Sequence, residues 1–324
     1  MRVAICVDME GVSGIDRYEQ CFPSWAGEYR RGVRLLVADV RAAVQAAMEA
    51  GAREVVLADW HYLGRNIPRA AFPDLPIRRL WSGGRPVVGA HGLGRPDAAV
   101  LVGMHAGAGN ASGFLSHTFW RGMAVLLDGR ALSEAVLWSL ALGASGVPVA
   151  VLAGDQRAGE EAREFLPGVR TVAVKAGVSR TKTILRPPED ARQELAEAIR
   201  GALSDLPPPL MHAFPAEATI RYARPSWAVL ATRRGVGDRV GERDISTRLG
   251  SVHDLGPFLA RALLATPGGA SPAVLNAVLP STDGRGSKAW ASAVLAVTGR
   301  IERNAIRTWA RERPDLYPPV GRDD

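Results

Sequence analysis

The stretch Arg2-Val-Ala-Ile-Cys-Val-Asp-Met-Glu10 decides how the rest of this chain is interpreted. The apolar run from Val3 to Val7 predicts a buried strand over residues 2–7, and two carboxylates follow it directly. Side chains alternate along an extended backbone, so Asp8 and Glu10 are expected to point to the same side. The stretch therefore predicts a buried strand that ends in a pair of carboxylates.

Two later apolar segments each end in a histidine. Residues 54–58 run into Asp59-Trp60-His61, and residues 98–104 run into His105. A helical pattern over about 27–50, with Gly51 as its stop, separates the first strand from the second. Such alternation predicts an α/β fold with a mainly parallel sheet and flanking helices. Because parallel strands end at one edge of a sheet, we expect both histidines to lie near Asp8 and Glu10.

The remaining pattern predicts three regions. Glu134 lies in the first turns of a helix that follows the turn signal Asp128-Gly129. Further elements are predicted as a strand at 147–152, a short acidic helix at 158–165, a strand at 169–174 and helices at 188–204 and 288–311. We divide the chain into a metal-binding α/β domain (1–165), a smaller α+β domain (166–270) and a helical C-terminal extension (271–324).

Composition is that of an ordinary globular protein. The chain has 324 residues, of which 47% are hydrophobic and 23% charged. Its two cysteines, Cys6 and Cys21, are too few for a disulfide framework, which favours a cytoplasmic location. The apolar start is interrupted by Asp8 and Glu10, so no secretory signal is expected.

Two broader classes of partner are not expected. The net charge is +7, but the arginines are spread along the chain and form no aromatic-interleaved basic block, so nucleic acid is not predicted. Residues 135–154 carry no charge and have the length of a membrane span. Gly143, Gly146 and Pro148 interrupt this run, which favours a buried helix, a turn and a buried strand over a membrane segment.

Three carboxylates and two histidines in one crevice would form a metal site. Zinc takes histidine and carboxylate ligands, and an aspartate can bridge two ions. Taken singly, Asp8 with Glu10 is better explained by a solvated strand end, and each histidine by a hydrogen-bonded structural residue. The joint pattern at the ends of predicted strands favours the metal site.

A third histidine lies in the glycine-rich loop that follows His105. His117 belongs to the segment Gly113-Phe-Leu-Ser-His-Thr118, and Gly107 and Gly109 precede it. Such a loop can fold back over a metal site, where an imidazole would act as general base, nucleophile or oxyanion partner. The alternative is a polar loop residue without a catalytic role.

The segment Val7-Asp-Met-Glu-Gly-Val-Ser-Gly14 resembles the opening motif of the dinuclear zinc D-aminopeptidases, the DppA-type metallopeptidases. Further similar motifs follow in the same order over residues 1 to about 270: Asp59-Trp60-His61, Gly103-Met104-His105-Ala106, Ser116-His117-Thr118, Glu134 and Ala153-Gly154-Asp155. The resemblance implies a Rossmann-like first domain, a smaller second domain and a ring-like homo-oligomer such as a decamer.

The resemblance also implies roles for the site residues. Asp8 would bridge two zinc ions, Glu10 and His105 would complete one site, and His61 and Glu134 the other. His117 would be the catalytic residue, which the family assigns as nucleophile. Attack by metal-activated water, with His117 assisting, is the physically simpler route, and the sequence leaves both open.

Three functions remain as hypotheses. The first is a zinc-dependent aminopeptidase that removes the N-terminal residue from short peptides containing D-amino acids. The second is a metal-dependent amidase acting on a non-peptide or γ-linked amide, favoured by the bulky Trp60 and Tyr62 beside His61. The third is a non-catalytic metal-binding scaffold.

Overall fold

The computed structural model of the protein describes residues 1–62, 64–80 and 92–266. Its strands are β1 (Arg2–Val7), β2 (Glu54–Asp59), β3 (Ile77–Leu80), β4 (Ala98–Met104), β5 (Met123–Leu127), β6 (Arg130–Leu132), β7 (Val149–Asp155), β8 (Arg170–Ser179), β9 (Lys182–Leu185), β10 (Ala216–Tyr222), β11 (Asp238–Arg239) and β12 (Asp244–Leu249). Its α-helices are α1 (Ala26–Glu49), α2 (Glu134–Gly143), α3 (Gln156–Phe165), α4 (Pro188–Ser204), α5 (Pro225–Arg233) and α6 (Leu255–Leu264).

The larger of two sheets positions the candidate site. Its strands lie in the order β3-β2-β1-β4-β7-β8-β9. All neighbouring pairs are parallel except β8 and β9, which form an antiparallel hairpin at one edge. The central position of β1 explains its continuous apolar run, because both faces of the strand are covered. The α/β fold class with a mainly parallel sheet is confirmed.

The two faces of the large sheet pack against different layers. Val3, Ile5 and Val7 lie in a core with the buried faces of α1 and α4. Ala4 and Cys6, which point the other way, lie in a second core with α2, α3 and the smaller sheet. Side chains that alternate along β1 therefore join both cores, and the end of this strand is fixed from both sides.

The smaller sheet is antiparallel, with the strand order β11-β12-β10-β5-β6. Its hairpin β5–β6 turns at Asp128 and Gly129, which have φ angles of 47° and 81°. A left-handed conformation at both positions is typical of a type I′ hairpin turn. The turn was therefore correctly predicted, but the strands β5 and β6 on either side of it were not.

Sheet membership does not change at residue 165, where the first domain boundary was placed. The segment with β8, β9 and α4 belongs to the large sheet and its helical layer, whereas β5 and β6 belong to the small sheet. The division into domains stays a prediction. The predicted C-terminal extension at 271–324, with its helix at 288–311, lies outside the described residues.

Helix prediction was accurate to about one turn. The helix expected at 27–50 spans Ala26–Glu49, and the helix expected at 188–204 has those bounds. The uncharged run at 135–154 folds as α2, a turn and β7, as predicted. Among the described helices, none is both long enough and apolar enough to cross a membrane.

Candidate metal centre

Three neighbouring strands deliver the central residues of the site. Strands β1, β2 and β4 are adjacent, and they end just before Asp8, His61 and His105. The backbone N–H of Asp8 donates to Val102 O over 2.8 Å, which continues the pairing of β1 and β4 to the ligand itself. A Cβ atom at Gly11 would lie 2.0 Å from Met104 O, so only glycine permits this approach of the two strand ends.

Asp8 lies between two histidine rings. Its Oδ1 atom is 3.0 Å from His61 Nδ1, and its Oδ2 atom is 3.2 Å from His105 Nε2. The carboxyl group is buried, which alone would raise its pKa, but the close contacts and charges of the two histidines hold the pKa of Asp8 well below its usual range. Asp8 is therefore an ionised carboxylate that faces two ligand groups at once.

Each histidine has a second carboxylate beside it. Glu10 Oε2 lies 3.1 Å from His61 Nδ1, and Glu134 Oε1 lies 3.4 Å from His105 Nε2. The structure brings together all of the predicted ligands. The expected grouping of Glu10 with His105 and of His61 with Glu134 around the ions stays a prediction. Glu134 is the first residue of α2, where a carboxylate is favoured by the helix dipole.

The outer nitrogen of each ring contacts a backbone carbonyl. His61 Nε2 lies 2.8 Å from Cys21 O, and His105 Nδ1 lies 2.9 Å from Ala106 O. Since a carbonyl only accepts, the outer nitrogen carries the hydrogen, and in the neutral ring the nitrogen facing the carboxylates carries a lone pair. This orientation is typical of metal-ligating histidines.

The site contains the unfilled bonding capacity expected of metal ligands. A histidine lone pair aimed at a carboxylate oxygen is repulsive unless a proton or a cation lies between them. Burial lowers the pKa of His61 and His105, but the adjacent carboxylates outweigh it and hold both pKa values well above the ordinary range, so protons take this place without metal. Among the described side chains, Glu10 Oε2 and His105 Nε2 are buried without a hydrogen bond.

The donor set fits zinc. Asp8, Glu10 and His105 each offer a ligand atom within 4.8 Å of the others, and so do His105, His117 and Glu134. All donors are carboxylate oxygens or imidazole nitrogens, which zinc prefers in sites that keep an open position. The residues present therefore suit zinc.

His117 differs electrostatically from the other two histidines. Its ring stacks on that of His105 with centroids 4.1 Å apart, and its Nδ1 lies 2.7 Å from Leu115 O. Its Nε2 faces Glu134 Oε1 at 3.6 Å. Burial and the nearby charge of His105 hold the pKa of His117 well below its usual range. A neutral imidazole with its Nε2 lone pair towards the site suits a general base or a nucleophile.

Lys175 braces the segment that carries the first two ligands. Its buried Nζ donates to the backbone carbonyls of Glu10 and Ile15, over 2.8 and 2.6 Å. Burial lowers the pKa of Lys175 to about 8. The side chain fixes the turn after β1 and so helps to hold the segment that carries Asp8 and Glu10.

Asp59 does the same for the turn that carries His61. Its carboxylate accepts hydrogen bonds from the backbone N–H of Asn66 at 2.6 Å and from the Asn66 side chain at 2.9 Å. The Asn66 amide also donates to His61 O over 2.7 Å. Burial raises the pKa of Asp59 despite these bonds. Asp59 belongs to one of the quoted motifs, but its supporting role follows only from the fold.

The aromatic residues beside His61 have separate roles. Trp60 packs on Trp138 in the core, with ring centroids 4.4 Å apart, so it does not face the site. Tyr62 has a φ angle of 53° and lies with Phe22 around the His61 ring. Of the two residues predicted to influence substrate selection, only Tyr62 is placed to do so.

Two further described histidines lie outside the site. His212 pairs with Asp128 at 2.9 Å near the β5–β6 turn, and His253 lies in a short 3-10 turn before α6. His91 lies outside the described residues.

Comparison with known proteins gives concordant results. The sequence profile of the D-aminopeptidase family matches residues 1–260. A relative from Bacillus subtilis (strain 168), named D-aminopeptidase, is 31% identical over 208 residues, which are 63% of this chain and 74% of the relative. A solved structure, described as the Zn-dependent D-aminopeptidase DppA from Bacillus subtilis, a self-compartmentalizing protease, superposes with a TM-score of 0.72. At 24% identity it covers 82% of this chain and 98% of its own, and it supports the fold.

Proposed function

This chain belongs to the D-aminopeptidase family and is a zinc-dependent aminopeptidase, and we propose that it releases the N-terminal residue from short peptides containing D-amino acids. The observation that carries this proposal is the placement of Asp8 between two histidines, each with a further carboxylate beside it. D-configured peptides are the substrates implied by the names of the family and of its Bacillus subtilis member.

We propose two zinc ions per subunit that share Asp8. Glu10 and His105 would complete one site, and His61 and Glu134 the other. The ligand atoms of Asp8, Glu10 and His105, which lie within 4.8 Å of one another, support the first of these groupings. When bound, zinc would polarise the scissile carbonyl and lower the pKa of water from about 15.7 towards about 7. Strand pairing holds Asp8, and backbone carbonyls orient the rings of His61 and His105, so these ligands are already in position before loading.

His117 handles the proton in the proposed reaction. Its Nδ1–H is held by Leu115 O, so Nε2 is the ring nitrogen that would accept a proton from the attacking group. The same atom would then return that proton to the departing amine. Direct attack by Nε2 on the carbonyl is the alternative role, and it predicts a covalent acyl-histidine that rapid quenching and mass spectrometry would detect.

The cellular context forms part of the proposal. A self-compartmentalizing relative supports a ring-like homo-oligomer, for which a decamer is one size that light scattering would identify. Two buried, unpaired cysteines, Cys6 and Cys21, support a cytoplasmic location. A short peptide is the proposed substrate, and neither nucleic acid nor a membrane is part of the proposed function.

The decisive experiment combines metal analysis with a substrate panel. The purified protein should contain two zinc ions per chain, release D-alanine from D-Ala-D-Ala, and lose this activity on chelation. Zinc restored to the apoprotein should restore turnover. An L-Ala-L-Ala peptide and a γ-linked dipeptide are the matched substrates.

Each of the following results would contradict one part of the proposed function. Faster cleavage of the γ-linked peptide would support the amidase alternative, and zinc binding without turnover on any amide would support a binding scaffold. Turnover that persists after complete chelation would refute the metal-dependent mechanism.

A further inference from the structure

The segment that carries His117 is held by side chains from elsewhere in the fold. Residues 106–118, here called the His117 loop, contain no helix or strand. The backbone N–H of His117 donates to Ala106 O over 3.2 Å, which closes the loop on itself but does not fix it against the sheet. Its position over the metal centre must therefore be set by contacts with other elements.

Glu161 of helix α3 makes two such contacts. Its Oε2 accepts a hydrogen bond from Gly107 N at 2.8 Å, and its Oε1 accepts one from Asn110 Nδ2 at 2.7 Å. The side chain is buried, and in the described part of the chain it forms no ion pair with a lysine or arginine. A buried carboxylate without such a partner is costly, and here both oxygens are used to hold one loop.

Asn110 carries this restraint to the neighbour of His117. Its Oδ1 atom accepts hydrogen bonds from Ser112 N and Gly113 N, at 3.1 and 2.9 Å. Its backbone carbonyl accepts the Ser116 hydroxyl at 2.7 Å. A continuous path of hydrogen bonds therefore links Glu161 to the residue directly before His117.

We propose that Glu161 is a positioning residue, whose ionised carboxylate holds the His117 loop so that His117 Nε2 faces the reacting atoms. This inference rests on the proposed function of His117, but its geometric part is independent of that function. Asp155 supports the same arrangement from the other side, because its Oδ2 accepts Phe114 N at 2.9 Å. Asp155 also caps α3 through Arg157 N, so its substitution would disturb the helix as well and test the proposal less cleanly.

The first test compares Glu161→Gln with Glu160→Gln. Glutamine keeps the shape of glutamate but has only one accepting oxygen, so one of the two N–H groups of the loop loses its acceptor. Glu160 is a neighbouring carboxylate on the same helix that pairs with Arg157 near the surface, and its substitution is the matched control. We expect E161Q to lower kcat roughly 10- to 100-fold through misplacement of His117, with KM and zinc content unchanged.

A rescue variant separates positioning from general damage. In the double variant E161Q/N110D, the side-chain amide introduced at position 161 can donate to the carboxylate introduced at position 110, while its oxygen still accepts Gly107 N. The single variant N110D instead places two carboxylates 2.7 Å apart and should be impaired. We expect the double variant to regain most of the kcat lost by E161Q.

Hydrogen exchange provides a measurement that does not depend on activity. Backbone amides of the peptide covering residues 106–118 should exchange faster in E161Q than in wild type or E160Q, and should regain protection in the double variant. If wild type shows no turnover on the peptide panel, the proposed function fails while the exchange data still test the loop. Equal kcat in E161Q and E160Q, or unchanged exchange in E161Q, would overturn the assignment of Glu161.

Discussion

The metal ligands and the His117 loop meet at one site but are held in different ways. Asp8, His61 and His105 follow directly from three adjacent strands whose backbone pairing extends to the ligands, as in the bond from Asp8 N to Val102 O. The His117 loop is instead held mainly by side-chain hydrogen bonds from Glu161 and Asp155, together with a backbone bond of 2.9 Å from Leu115 N to Arg180 O. One half of the site is fixed by the sheet, and the other half is attached to it.

This difference separates metal binding from proton transfer. A sheet edge holds its ligands with backbone geometry that changes only when the core itself unfolds, which suits residues that bind ions. A loop held by a few side-chain bonds can shift without disturbing the sheet. Changes at the strand ends should therefore abolish zinc binding, whereas changes that act through the loop should slow catalysis with zinc still bound.

The largest effect is expected at Asp8. Asp8→Asn removes the charge and one of two ligand oxygens from the group that faces both histidines, so both ions should be lost. Loss of the several kcal/mol supplied by the metals corresponds to a fall in activity on the order of 10³-fold or more. Zinc content and D-Ala-D-Ala turnover are measured together, with Asp16→Asn as control, since Asp16 pairs only locally with Arg17 near the surface. A D8N protein that keeps both ions would remove Asp8 from the shared position.

His117→Ala should lose activity but, unlike Asp8→Asn, should keep its zinc. We expect kcat to fall about 10²- to 10⁴-fold because the proton-transfer group is lost, while zinc content stays that of wild type. His212→Ala is the matched control, because His212 pairs with Asp128 at the β5–β6 turn and not with a proposed ligand. Loss of zinc in H117A would show that His117 is a ligand, as its membership in a cluster with His105 and Glu134 permits.

The part of the site that the sequence predicts well is the part fixed by the sheet. Apolar runs locate the strands, and residues directly after parallel strands lie at one edge of the sheet. The proximity of Asp8, His61 and His105 could therefore be predicted from the sequence alone. The pairing of Glu10 with His61 and of Glu134 with His105 could not be derived in this way. It depends on the direction of each side chain, which alternation along the strand does not determine across neighbouring strands.

The support of the loop was not predicted, for a different reason. Glu160 and Glu161 are adjacent and chemically identical, so composition gives no reason to separate them. Helical spacing does contain a signal, since Glu161 lies three residues after buried Ala158 and next to buried Ala162, on the inward face of α3. The β5–β6 hairpin was missed because its strands are short and flank a turn that looks equally suited to start a helix.

Lys175→Met tests whether the ligand segment after β1 needs the hydrogen bonds that Lys175 donates to it. Removing the ammonium group leaves the buried carbonyls of Glu10 and Ile15 without this donor, which should lower the free energy of unfolding by roughly 2–4 kcal/mol. Chemical denaturation of zinc-free protein measures the change, and Lys182→Met on the exposed hairpin is the control. Stability equal to that of the K182M protein would mean that the backbone alone holds the ligand segment.

The smallest effect concerns the pH dependence of the His117 loop. Burial raises the pKa of Glu161 from 4.5 to about 7. Between these values the folded state holds a proton that the unfolded state has lost, so the free energy of unfolding falls as pH rises. Above about pH 7 the folded state carries the full cost of burying the ionised Glu161 carboxylate. The difference in unfolding free energy between wild type and E161Q should therefore decrease by at most about 3 kcal/mol over this interval.

Activity should move in the other direction over the same interval. Only the ionised carboxylate accepts both loop hydrogen bonds, so acidification through about pH 7 should make wild type more stable relative to E161Q while lowering its kcat. The step in kcat that Glu161 causes should be absent from the E161Q profile, and the E160Q profile should retain it. Parallel changes of stability and kcat in wild type would indicate that protonation damages the sheet-fixed half, and the separation between the two halves of the site would then be wrong.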